Sequence, residues 1–178
     1  MAALRTSGVV AGPARTSPAA GRADAGPRTR EVLVFEVDAQ RYALPIADVR
    51  ELVRAVAITP LPDAPALIEG VVDVRGRILP VLDVRARFGL PARPVDPSDQ
   101  FIVASAGARG VILRVDRATH LALVDEGALP SSPAAAPETA YMAGVARLED
   151  GLVLIHDLAT FLSTAEGESL DAALRVAV

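Results

Sequence analysis

Residues 70–88 read Gly-Val-Val-Asp-Val-Arg-Gly-Arg-Ile-Leu-Pro-Val-Leu-Asp-Val-Arg-Ala-Arg-Phe, and no other stretch restricts the possible folds as much. Two apolar runs, 71–74 and 78–84, flank the polar connection Arg75-Gly76-Arg77, where glycine supplies the positive φ of a tight reversal. The pattern predicts a β-hairpin. Both arms are rich in Val, Ile and Leu, which suits strands buried on one face and partly covered on the other. Pro80 donates no backbone hydrogen bond, so it is expected where no ladder partner needs one, at an edge or a bulge. Asp73, Arg75, Arg77, Asp83 and Arg85 accompany this apolar hairpin, which predicts that something polar meets it.

Short strands recur on either side. Residues 32–37 read as a strand, Asp38-Ala39-Gln40 as a turn and 41–45 as the returning partner. Residues 46–53 fit a helical spacing through Ile46, Val49, Leu52 and Val53, and a strand period as well, so both readings stay open. Pro60, Pro62 and Pro65 exclude either element between 59 and 65. Beyond Phe88, Pro91, Pro94 and Pro97 hold an extended connector. Strands are then expected over 100–105, 110–115, 118–124, 142–148 and 152–155, with a Ser, Ala and Pro loop at 130–137 and a turn at Glu149-Asp150-Gly151. This succession of short strands argues for a barrel or a sandwich. Asp157 is expected to cap a short helix over 158–163, and a further helix is expected over 170–176.

The 178 residues suffice for one domain or two small ones, and 51% hydrophobic against 3% aromatic residues implies an aliphatic core. There is no cysteine, which excludes disulfides, thiolate metal sites and cysteine nucleophiles. No apolar run approaches the roughly 20 residues of a membrane-spanning helix, so no membrane insertion is expected. Residues 1–30 hold five arginines against one aspartate, and the remaining 148 hold 13 basic and 21 acidic groups. An acidic body argues against nucleic acid as a partner. The first 30 residues have few large apolar groups and lack the continuous apolar stretch of a secretory signal, which predicts a disordered tail.

Little in the chain points to catalysis. His120 and His156 are the only histidines, each alone in an apolar stretch, and no carboxylates stand at metal-ligand spacing. A phosphate-binding loop, a dinucleotide fingerprint and a serine elbow are all missing. His156-Asp157 is the one candidate base, and a strand end beside a helix cap is the simpler account of it. No catalytic residue, metal or cofactor is expected, which leaves a binding module acting through its surface.

The run Gly70-Val71-Val72-Asp73-Val74-Arg75-Gly76, followed by Leu79-Pro80-Val81-Leu82-Asp83-Val84-Arg85 and Phe88, resembles the most recognisable segment of the CheW family, the coupling proteins of bacterial chemotaxis. The family usually has Asn where this chain has Asp73. The ending Gly151-Leu152-Val153-Leu154-Ile155-His156-Asp157-Leu158, with Phe161-Leu162, is also similar to the close of a CheW domain. The resemblance implies an all-β fold with short helices, built as two small SH3-like five-stranded β-barrels packed together. On this reading the domain spans 31–163 with a transition between barrels near 91–97, preceded by a tail over 1–30 and followed by a helix or tail over 164–178.

The resemblance further implies a non-enzymatic cytoplasmic adaptor, recruited to receptor arrays at the inner face of the membrane. Its expected partners are the tip of the chemoreceptor's cytoplasmic helical hairpin, the regulatory domain of the histidine kinase CheA, and other CheW-like domains in rings. An adaptor of a non-flagellar receptor-kinase pathway, and a fragment of a CheA regulatory domain, remain the alternatives. Carried onto this chain, where Val49-Arg50-Glu51-Leu52 resembles the family's Val-x-Glu-Ile, the receptor groove involves Ile46, Val49 and Glu51 together with Gly70 and Arg75. Glu51 and Arg75 are expected to pair at the groove wall, and Ile46 and Val49 to supply apolar contact. Kinase-contact residues stay unassigned; Gly89-Leu90-Pro91 and the surroundings of Val103, Leu113 and Val145 are the weak candidates.

Overall fold

Consecutive buried apolar residues on both of the first two predicted strands form a tight antiparallel pair, β1 (Thr29–Val37) with β2 (Gln40–Pro45). Their two-residue turn holds Asp38 and Ala39 at φ 55° and 62°, the reversal whose twist matches that of the flanking strands. The computed structural model describes residues 29–125, 141–149 and 151–177. The tail expected over 1–30 therefore lies outside the described residues except for Thr29 and Arg30, which belong to β1; the loop at 130–137 and Asp150 also lie outside.

A 3-10 turn, Ile46–Asp48, resolves the ambiguous segment that follows, because the chain emerges from it as a strand, β3 (Val49–Arg54). The central hairpin pairs β4 (Ile68–Val74) with β5 (Arg77–Leu82). At its turn Arg75 joins Gly76 at positive φ, 54° and 81°, and Asp73 Oδ1 accepts the Gly76 N–H at 2.6 Å. Asp83 then caps a single helical turn, α1 (Val84–Arg87), by accepting the Ala86 N–H at 3.0 Å. The remaining strands are β6 (Gln100–Ala106), β7 (Arg109–Val115), β8 (Arg117–Asp125), β9 (Met142–Leu148) and β10 (Gly151–His156).

The C-terminal helices depart from expectation in length. The helix expected over 158–163 is a 3-10 turn, Leu158–Thr160, whose cap Asp157 accepts the Ala159 N–H at 2.9 Å. The next helix, α2 (Thr164–Ala177), starts six residues before position 170. Ser163 and Glu166 begin it reciprocally: the Ser163 N–H donates to Glu166 Oε2 at 2.8 Å, and the Glu166 N–H to Ser163 Oγ at 3.2 Å.

Among the described residues ten strands form two five-stranded sheets, ordered β8-β1-β2-β10-β9 and β3-β6-β7-β5-β4. Each contains one parallel pair, β2 with β10 and β5 with β7, and the two share one pattern of pairing. Each sheet curls round its own apolar interior, Val32, Val34, Ala43, Val153 and Ile155 in the first and Val72, Leu79, Val81, Phe101 and Ile112 in the second. A third core fills the space between them, with Leu33, Phe35 and Leu44 against Leu82, Ile102 and Leu113. Alternate residues of β1 thus serve two cores. The sheets are not closed by edge-to-edge ladders, but two small five-stranded units of SH3-like packing are what the chain builds.

Two expectations need correction. Pro80 sits where no ladder partner needs a donor, as expected, but not at an edge: it lies in β5, which is an interior strand between β7 and β4. It is tolerated because its register partner Val71 directs both backbone groups outward to Thr59, at 2.8 and 3.0 Å, and because the parallel ladder to β7 begins only at Val81. The chain does not change sheet near 91–97. That connector joins β5 and β6 of one sheet and is held along it by Arg85 Nε donating to Pro91 O and Arg114 Nη2 to Arg93 O. The crossings fall at Ile46–Asp48 and at Asp116.

Charges fasten the junction. The Arg85 guanidinium, 5% exposed, meets Asp38 of the β1–β2 turn at 2.9 Å and Asp116 at 3.4 Å. Arg93 bridges Asp116 and Asp99 at 2.7 and 2.6 Å, and Arg114 continues to Glu69 at 2.6 Å. Burial pulls the Asp116 carboxyl upward, yet the Asp38 N–H and Arg93 prevail and hold it below the usual carboxylate range. At Glu69 burial outweighs Arg114, and the carboxyl is raised.

Candidate functional site

The core between the sheets opens to solvent where their edge strands β3 and β8 run past each other. The opening is a groove of about 410 Å³. Its floor is Leu33, Ile46 and Val49, which belong to or pack on the shared core, and its rim carries Leu52 and Leu121, 46% and 51% exposed. Leucines half in water beside a buried apolar floor are a surface suited to a partner's apolar face. His120 and Thr119 of β8 line the same groove.

A bulge shapes the β3 wall. Val49 pairs with Ala104 and Glu51 with Val103, so Arg50 is the extra residue, and its Nε donates to Ser105 Oγ at 3.0 Å. Glu51 faces the neighbouring hairpin turn, where Arg75 Nη2 approaches its Oε2 to 2.8 Å. The pair stands over a second, smaller concavity of about 240 Å³, which Arg50 and Glu51 share with the groove.

Four of the five receptor-groove residues expected from the sequence converge here: Ile46, Val49 and Glu51 in the groove, and Arg75 through its ion pair. Gly70 does not. It is buried on β4 at φ 152°, where an added Cβ would sit 2.2 Å from the Thr59 carbonyl oxygen, so it permits close backbone approach and contributes no surface. Leu52 and Leu121 were missing from the expected set. Their signal was an apolar residue at an exposed strand position, visible only once β3 is known to be a strand. Of the weak kinase candidates, Val103 and Leu113 are buried in the cores.

His156 is a packing residue in its surroundings. Its ring lies 4.8 Å from that of Phe88 and 5.5 Å from those of Tyr42 and Phe161, and Nδ1 faces the Tyr141 carbonyl at 3.0 Å. Nδ1 therefore carries the proton of the neutral ring, and burial lowers the pKa to about 4 despite that hydrogen bond. Nε2 is buried without a partner among the described residues. With its pKa lowered to about 4, this imidazole is a weak proton acceptor. Among the described residues no group of three His, Asp or Glu could hold a metal ion, and no helix is long and apolar enough to cross a membrane.

A family model described as the CheW-like domain matches residues 31–166. The chain is 31% identical over 142 residues to the chemotaxis protein CheW of Rhizobium meliloti, covering 79% of this chain and 92% of that protein. It is 29% identical over 144 residues to the chemotaxis protein CheW of Klebsiella aerogenes, covering 80% and 87%. Among solved structures it is similar to the scaffolding protein TtCheW from Thermoanaerobacter tengcongensis, with a TM-score of 0.66 and 31% identity over 74% of this chain and 89% of that one.

Proposed function

The chain belongs to the CheW-like domain family, and from that premise we propose that it is a non-enzymatic adaptor that couples chemoreceptors to the histidine kinase CheA. The observation that carries this reading is the apolar groove between β3 and β8, with Leu52 and Leu121 on its rim and the Glu51–Arg75 pair at its wall. A helical hairpin presents a stripe of apolar residues flanked by charge, and the groove offers the matching pattern. Ile46, Val49, Glu51 and Arg75 are the receptor-contact residues on this reading, and Gly70 acts only by fixing the hairpin behind them.

The CheA regulatory domain and other CheW-like domains are the further partners, in an assembly at the inner face of the membrane. Two packed units of similar pairing pattern give an adaptor more than one surface, which a link between kinase and receptor requires. The experiment is CheA autophosphorylation with receptor signalling fragments, with and without this protein, alongside co-sedimentation of the three. Kinase activity that rises, and co-sedimentation that occurs, only in its presence supports the coupling role. Binding to neither partner overturns it.

A further inference from the structure

Building on the groove reading, we propose that Arg50, Arg75 and Arg77 form a carboxylate-binding socket next to the groove, which receives an acidic side chain of the helix that docks there. The three guanidinium-bearing residues line the 240 Å³ concavity against a single carboxylate, Glu51, which leaves two positive charges in excess. Several arginines elsewhere are paired: Arg85, Arg87, Arg93, Arg114 and Arg117 each meet a carboxylate within about 3 Å.

Arg50 and Arg77 differ. The Nε of Arg50 is taken by the hydroxyl of Ser105, while its terminal nitrogens meet no carboxylate among the described residues. The Arg77 side chain makes no hydrogen bond or ion pair among them. Asp73, the nearest acid in sequence, directs Oδ1 to the Gly76 N–H and does not line the concavity.

Guanidinium groups favour carboxylates because their planar N–H fork matches two oxygens, and Ser105 adds a hydroxyl beside them. The space admits a side-chain head but not a helix. Because Arg50 and Glu51 line both cavities, an apolar face seated on Leu52 and Leu121 brings its flanking side chains to the socket. A positive socket in an otherwise acidic body also orients an incoming acidic partner.

Two measurements on the full chain test this. First, arginine side-chain N–H resonances are followed during titration with sodium succinate, with sodium chloride at equal ionic strength as the blank. Signals of Arg50 and Arg77 that shift with succinate and not with chloride support the socket, and signals that move with neither overturn it. Second, affinity for a receptor signalling hairpin is compared among wild type, an Arg50→Ala/Arg77→Ala double variant and Leu52→Asp. The double variant should bind about tenfold more weakly at about 0.05 M salt and nearly as well as wild type at about 0.5 M, while Leu52→Asp weakens binding at both. Wild-type affinity in the double variant, with loss in Leu52→Asp, overturns the socket and leaves the groove reading standing. Full affinity in Leu52→Asp overturns the groove reading instead.

Discussion

Arg75 Nη2 lies 2.8 Å from Oε2 of Glu51, so the turn of the central hairpin is tied to β3, the strand at the opposite edge of the same sheet. Arg75 is largely in water, and an exposed pair of this kind contributes only ~0–1 kcal/mol to stability. Glu51→Arg and Arg75→Glu should each leave the urea midpoint almost unchanged and each reduce receptor binding. The exchanged double variant should recover most of that loss; a double variant as weak as the singles would show that the two side chains act separately.

Leu52 and Leu121 face each other across the groove from different sheets and are partly exposed before any partner arrives. Replacing either by Asp should alter folding stability by less than about 1 kcal/mol, as surface substitutions do. Receptor affinity should fall about tenfold or more, because the partner must then cover a charge. Circular dichroism and sedimentation with the receptor fragment read the two effects apart. Ile46→Ala, on the packed floor, should lower both stability and affinity.

Gly70 and Gly76 belong to one hairpin and answer to different constraints. An alanine at Gly70 meets the Thr59 carbonyl at 2.2 Å, whereas at Gly76 nothing lies within 4 Å and only the φ of 81° resists a side chain. Gly70→Ala should therefore cost about 2 kcal/mol or more in chemical denaturation, and Gly76→Ala about 1 kcal/mol. Equal costs would mean that the contact with Thr59 carries no weight.

His156 makes the fold sensitive to acid. Its folded pKa of about 4 lies below its ordinary value of 6.5, so the unfolded chain takes up a proton first as pH falls. Above pH 6.5 the group has no effect on the pH dependence. Between 6.5 and about 4 it removes stability progressively, by about 3 kcal/mol in all. The urea midpoint of the wild type should drop across that window, and His156→Asn should flatten the drop while leaving kinase coupling intact. An equally steep drop in the variant would assign the acid sensitivity to other groups.

Much of this molecule is legible from local chemistry. The first hairpin follows from two strand-like runs about the Asp38-Ala39-Gln40 turn, and the central one from Gly76 between apolar runs. The start of α2 is also written locally, in the reciprocal cap of Ser163-Thr164-Ala165-Glu166, six residues before the apolar pattern at Leu170. Other features depend on residues distant along the chain. Pro80 reads as an edge residue until Thr59 is seen to occupy the backbone groups of Val71. At the candidate site, Glu51 and Arg75 were recognisable as a pair of opposite charge, but the groove itself needs β3 and β8 side by side, and no local rule brings Leu52 to Leu121.

The two crossings at Ile46–Asp48 and Asp116 have a bearing on how the polypeptide is made. Every strand of one sheet lies between residues 49 and 115, so that unit is complete in the nascent chain well before synthesis ends. The other sheet must wait for β10, which joins β2 across more than a hundred residues, and when synthesis has reached Asp116 the apolar underside of the finished unit has only β1 and β2 to cover it. Translation that stalls after Asp116 therefore leaves a half-covered core at the ribosome, a natural substrate for a chaperone.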